Sequence, residues 1–250
     1  MLEPPPPIRR LRDLTRYRID LVNTRGAEKN RVEKLLEDAQ IKLSVVASDI
    51  FGVSGRDMMA ALIAGQRDPK ILAQLARSRM RTKIALLEEA FTGHFTDHHA
   101  FLLSRMLGRI DAIDTDIAAI KGRIDEVVAP FAQAVTRLDD VPGIGSVAAA
   151  VIIAEIGTDM TRFPTPGHLV SWARFAPGVE ESRRGKERAL VAVGRSILVI
   201  VWHLLADPES TFHDLGPGFY NNRTGPERIK RHHIRQLEAL GYTVSLEPVA

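Results

Sequence analysis

Leu103, Met106, Ile110, Ile113, Ile117, Ile120, Ile124 and Val127 alternate steps of three and four without a miss. That spacing keeps one stripe of a helix apolar over more than three heptads. It predicts a helix over His98 to Val128. An ideal helix drifts off a 3.5-residue stripe, so this one is expected to supercoil against a partner. Two partners suit it: Ile71 to Ala90, folded back antiparallel across a break at Gly93 to Asp97, or a second copy of the chain. Upstream, Leu11, Leu14, Leu21, Val32, Leu35 and Leu36 recur at helical spacing among Arg, Lys and Glu. They predict a long amphipathic helix from Ile8 to about Ala39. Between the two lie a short β-prone link, Gln40 to Ser48, and a short helix, Gly55 to Ala64, with Ser54 as its cap. A further helix is opened by Asp68-Pro69 and runs to about Phe91.

Pro130 ends the heptad helix. Leu138 to Gly157 then reads LDDVPGIGSVAAAVIIAEIG. Val141, Pro142, Gly143, Ile144 and Gly145 predict a tight apolar hairpin, followed at once by an Ala-rich helix from Ser146 to Ile156. Ser146 or the Gly145 backbone is expected to cap that helix. The first-turn N–H groups of a helix lack internal acceptors and sit at the positive end of its dipole, so such an end suits a phosphate. The pattern resembles the hairpin of helix-hairpin-helix modules, which hold a nucleic-acid backbone in this way. The other reading is a packing corner made close by Ala148, Ala149 and Ala150. Thr165 is expected to cap a short helix from Pro166 to about Phe175. Ala189 to Ala206 is apolar but carries Arg195 and His203, and reads as a buried helix rather than a membrane span. Pro226 to Leu240 is a basic amphipathic helix, and YTVSLEP a possible edge strand.

Composition narrows the chemistry. The 250-residue chain is 45% hydrophobic and 26% charged, an ordinary globular balance. Its formal net charge is only +3, so a nucleic-acid surface has to be local. It contains no cysteine, which excludes disulfides, Cys-based zinc sites and Cys nucleophiles. MLEPPPPIRR has no apolar run behind it and does not read as a signal peptide, so the expected location is the cytoplasm.

The order hairpin, small-residue helix, AEIG, RF, a helix holding SWA, then P-G and a serine runs from Arg137 to Ser182. In that order the chain resembles the C-terminal transposase domain of the IS110 family of insertion-sequence transposases. The resemblance implies a DNA recombinase that works with a structured guide RNA. It also implies two pieces of machinery: an N-terminal domain whose four acidic residues (DEDD) bind divalent metal, and a C-terminal serine nucleophile. Ser182 matches the serine's position, and Arg183, Arg184 and Lys186 stand ready to steady phosphate charge. The DEDD domain is not found in this sequence, so no metal or other cofactor is expected in this chain. The Gly/Lys-rich stretch and G-N motif that usually follow the serine are missing too. A truncated copy of doubtful activity is therefore expected.

The expected fold is mainly α, with long helices, an antiparallel coiled coil and a helical transposase domain built on a helix-hairpin-helix-like turn. The expected divisions are a helical linker over 1–65, the coiled coil over 66–130, the shortened serine domain over 131–206 and a basic tail over 207–250. The expected DNA-contacting residues are Pro142, Gly143, Ile144, Gly145, Ser146, Arg183, Arg184 and Lys186. Expected partners are DNA, a guide RNA and a second copy through the coiled coil, with no membrane. The alternative is a non-catalytic remnant that binds nucleic acid and dimerises. His94, Asp97, His98 and His99 read as surface and capping residues at the coiled-coil tip. Asp111, Asp114 and Asp116 read as a solvated face. Arg9, Arg10, Arg12, Arg16 and Arg18 form a basic run that suits either nucleic acid or the polar side of a coiled-coil helix. The basic face of Lys230, Arg231, His232, His233 and Arg235 reads as solvated or phosphate-contacting, and Trp172 and Trp202 as core.

Overall fold

The computed structural model describes residues 5–175, 185–214, 216 and 226–245, with backbone alone for 185–189, 226–229 and 232. These residues are helical throughout their regular structure. They divide into two compact units, Met1–Pro164 and Thr165–Ala250.

The first unit is built on a pair of long helices, α1 (Pro6–Asp38) and α6 (Asp97–Val128). Pro6 and Pro7 lie in the first turn of α1, where a missing N–H does no harm. The two helices run antiparallel, as their cross-links show. Asp38 meets His99 at 3.2 Å, and Arg25 meets Asp114 at 2.5 Å. The heptad stripe of α6 therefore packs on α1, and Leu103, Leu107, Ile110, Ile113 and Ile124 are buried there. Of the two partners expected, 71–90 or a second copy, the first is corrected: within the chain the stripe packs chiefly on α1. The reason is visible in α1. Its inward face carries Thr15 and Glu28 among Leu11, Leu21, Val32 and Leu36, so its apolar period is interrupted where it matters. Buried Glu28 pairs with Arg31 at 2.5 Å, with Arg109 at 3.9 Å.

Between these helices the chain makes a small head: α2 (Leu43–Val46), α3 (Val53–Ile63), α4 (Pro69–Gln74) and α5 (Ile84–Ala90). Met58, Met59, Leu62, Leu72 and Leu87 join Val32, Leu36, Leu103 and Ile110 in one core. The expected extended link at 40–48 is instead a turn and the short α2. The expected helix from Asp68 to Phe91 is broken by a 3-10 turn at Ser78–Lys83. Ser54 does not cap α3; Gly52 holds that position without a side chain. Gly93 is required by close approach, since a Cβ there would meet the Ala39 carbonyl at 2.4 Å. The same crossing is tied by Lys42 N–H to the Ala90 carbonyl and His94 N–H to that of Ala39. His99 closes a capping box with Thr96 at the start of α6. Its Nδ1 accepts the Thr96 amide, so Nε2 carries the proton that faces Asp38.

The first unit ends with α7 (Ala132–Asp139), α8 (Ser146–Ile156) and a 3-10 turn at Met160–Arg162. The second unit contains α9 (Pro166–Trp172), α10 (Gly185–Ala206) and α11 (Pro226–Ala239), with α9 packed on α10. Thr165 precedes α9, but its hydroxyl meets His168 and makes no cap bond. Helix α10 is not buried along its length: Val201, Leu204 and Leu205 are buried, while Leu190 is 68% exposed. Trp172 is 44% exposed and is not a core residue. The described part of YTVSLEP, through residue 245, forms no strand. No helix among the described residues is long and apolar enough to cross a membrane.

Candidate nucleic-acid interface

The hairpin between α7 and α8 is a type II turn. Pro142 occupies its first corner and Gly143 its second, with φ +92°. The Ile144 amide closes it on the Val141 carbonyl at 2.9 Å. Val141 and Ile144 point inward and are buried, which anchors the turn. Pro142, Gly143, Gly145 and Ser146 are left on the surface. The two apolar residues hold the corner in place, while the residues between and after them expose backbone.

Helix α8 starts as the sequence predicts, at Ser146, but its cap differs. Gly145 is the N-cap residue, with φ −86° and ψ 170°, and no side chain bonds to the helix end. Ser146 is the first helical residue and does not cap. The first helical bond is Ala149 N–H to the Gly145 carbonyl, at 2.9 Å. Ser146, Val147 and Ala148 precede it and are exposed, so their amides face solvent with the positive end of the dipole. A Cβ at Gly143 or at Gly145 would meet nothing within 4 Å. The approach to this helix end is open.

The far end of α8 is held by α1. Arg12 Nε donates to the Ala154 carbonyl at 3.0 Å, and its Nη2 to that of Glu155 at 2.9 Å. Arg16 makes a two-pronged pair with the Glu155 carboxylate, at 2.8 and 2.9 Å. The hydrogen bond with Glu155, and then its charge, raise the Arg16 pKa. Arg12 thus satisfies carbonyls that a helix C-terminus leaves open, and Arg16 holds the Glu155 carboxylate. Their place in the basic run is structural. Arg18 lies beside an apolar cavity of about 260 Å³, lined by Ile124, Val128, Val135, Val147, Ala150 and Val151.

Within the hairpin and α8 themselves, attraction for an anion comes from backbone amides. Leu138 to Gly157 contains no lysine or arginine, and Asp139 and Asp140 lie at its start. Of the other expected site residues, Ser182, Arg183 and Arg184 lie outside the described residues. Lys186 is in α10 by its backbone, and its side chain lies outside them. The structure brings Pro142 to Ser146 together on one corner. Among the described residues, no group of three or more His, Cys, Asp or Glu side chains has the arrangement of a metal site.

One charged feature was missed in the sequence. RSRMRTK, Arg77 to Lys83, falls inside the long helix expected from Asp68 to Phe91, yet its cations recur at every second position. That period does not fit a helix face, and the segment forms the 3-10 turn Ser78–Lys83.

Compared with known proteins, residues 135–204 match the family model described as Transposase IS116/IS110/IS902 family. The match begins on α7, takes in the hairpin and α8, and ends within α10. No curated protein and no solved structure matches the chain.

Proposed function

We propose that the chain, whose residues 135–204 match the IS116/IS110/IS902 transposase family model, is a transposition protein, and that its α7–α8 corner holds the backbone of DNA. The observation that supports this is the open start of α8, with three exposed first-turn residues behind a glycine N-cap. A phosphate docks there by accepting from amides that have no helical partner. The contact is sequence-neutral, because it reaches the backbone and not base edges.

The resemblance supports reading Ser182 as the nucleophile. Its hydroxyl oxygen attacks a DNA phosphorus and the bond to one strand's sugar oxygen breaks. The serine's proton is lost and the leaving oxygen takes one up, so a phosphoserine link forms with no net loss of protons. A hydroxyl on a second DNA end then displaces the serine and rejoins the strand. Arg183, Arg184 and Lys186 are assigned to steady the charge on the phosphate in transit. A guide RNA and a second copy of the chain are the further partners of this reading. The divalent metal that the resemblance implies belongs to the DEDD domain. No donor set among the described residues suits it, and no step here passes through it.

The decisive variant is Gly145→Asp. An aspartate at this N-cap fills the anion site with its own carboxylate while suiting the helix. Duplex binding is expected to fall about tenfold or more, with the helical signal unchanged. Parent-like affinity in that variant would remove the α8 end from the interface. The serine is tested separately: a covalent DNA adduct is expected with the parent chain and absent in Ser182→Ala. An adduct that persists in Ser182→Ala assigns the nucleophile elsewhere.

A further inference from the structure

The hairpin lacks the cations on which nucleic-acid affinity ordinarily depends, because affinity grows with the number of counterions that lysines and arginines release. The first unit has such cations elsewhere. Arg77, Arg79, Arg81 and Lys83 lie within seven residues, on the turn that joins α4 to α5. Ser78 enters this turn at φ +49°, and nothing from Ser78 to Lys83 is buried. The outer two cations are engaged: Arg77 pairs with Asp57 at 2.5 Å, and Lys83 donates to the Val46 carbonyl at 2.7 Å. Arg79 and Arg81 are exposed, and among the described residues no carboxylate pairs with either. Four like charges on a short turn repel one another, and a polyanion relieves that repulsion.

The turn forms one wall of a groove of about 480 Å³, to which Arg77, Arg79, Lys83, Ser48, Ser54 and Asp49 contribute. Asp49 is the one acidic residue in that lining, and its Oδ1 already accepts the Phe51 amide at 2.9 Å. The lining includes no aromatic ring. Surfaces that grip single strands use aromatic side chains as stacking platforms, and this one has none to offer. Guanidinium groups suit phosphate oxygens through paired N–H donors.

We propose that the Arg77–Lys83 turn and its groove are a second contact surface for duplex DNA, gripping phosphates without reading sequence. This rests on the reading of the chain as a DNA-binding transposition protein. The two surfaces divide the work. The α8 end positions one phosphate through backbone amides, and the turn supplies the charge that gives affinity.

The test is fluorescence anisotropy on a labelled duplex of arbitrary sequence across a salt series, using the full chain. Arg79→Gln/Arg81→Gln is expected to weaken binding about tenfold or more at low salt. It should lower the slope of log affinity against log salt by about 2. Its circular dichroism and melting should match the parent, since neither side chain pairs with a carboxylate among the described residues. Lys70→Gln/Arg105→Gln removes the same charge from exposed positions outside this turn, and is expected to bind as the parent does. Parent-like binding by Arg79→Gln/Arg81→Gln, or an equal loss in the control pair, overturns the proposal. So does a loss confined to duplex RNA or to single-stranded DNA when these replace the probe. If Gly145→Asp abolishes binding while the arginine pair does not, this surface fails and the α8 reading stands. If the parent chain binds no duplex at all, both fail.

Discussion

Gly145→Asp separates stability from binding, because its two effects have opposite value to the protein. Gly145 has the backbone of an N-cap residue, φ −86° and ψ 170°, with open space where a side chain would grow. Aspartate fits this geometry without strain and accepts from an amide of the first turn. Relative to glycine the cap bond contributes a few tenths of a kcal/mol. A carboxylate at the positive end of the dipole adds roughly 0.3–1 kcal/mol. Loss of glycine's freedom in the unfolded chain adds about 0.4–1 kcal/mol. Repulsion from Asp139 and Asp140 works against these, so a net gain of about 1 kcal/mol is expected. A suitable assay is native-state hydrogen exchange at the Ala149 amide, which bonds to the Gly145 carbonyl. It reads the first unit by itself, where a whole-chain melt mixes two units. A gain of about 1 kcal/mol slows exchange roughly fivefold. The paired variant Gly143→Ala has the opposite sign. With φ +92°, an alanine there is strained by roughly 1–2 kcal/mol, although no atom crowds it. Faster exchange in Gly145→Asp, or unchanged exchange in Gly143→Ala, would refute the assignment of cap and turn.

Other expectations follow from the packing of the first unit. Arg12→Met removes two donors from the end of α8 and should lower stability by about 1–3 kcal/mol, read as a drop in the urea midpoint. Ile110→Ala leaves a hole where α1, α6 and the head meet and should cost about 2–5 kcal/mol; a loss under 1 kcal/mol would mean that α6 does not pack there. The Asp159 carboxyl is held below its ordinary pKa, chiefly by the Thr161 hydroxyl, then by the Thr161 amide, with Arg162 adding to both. A depressed carboxyl contributes stability that is complete above its unfolded pKa of about 3.9 and is lost as pH falls through its folded value. Carbon-detected titration of Asp159 should therefore find a midpoint below the ordinary carboxylate range, moving up towards it in Thr161→Val.

The linear pattern carried the local structure well. The 3-4 spacing of isoleucines set out α6, and the glycine-proline corner followed by small residues set out α8 from Ser146 to Ile156. Local signals suffice there because helix period and turn chemistry are properties of neighbouring residues. The match over residues 135–204 belongs to the same class of information. The order of hairpin, AEIG, RF and SWA carries the resemblance to a transposase domain before any packing is known.

Partners in space were another matter. The stripe of α6 needed an apolar mate, and the sequence offered 71–90 or a second copy. Folding chose α1, whose interrupted stripe of Thr15 and Glu28 is tolerable because Arg31 and Arg109 meet the buried carboxylate. Tertiary structure also decided what the arginines do. Arg12 and Arg16, alike in sequence to any nucleic-acid contact, end on the carbonyls and carboxylate of α8. Arg79 and Arg81, hidden in a predicted helix, stand out on a turn with no paired carboxylate among the described residues. Charge in a sequence is only an inventory. Whether a given arginine is spent inside the fold or left for a ligand depends on which carboxylates and carbonyls the chain brings within about 3 Å of it, and only the folded molecule settles that.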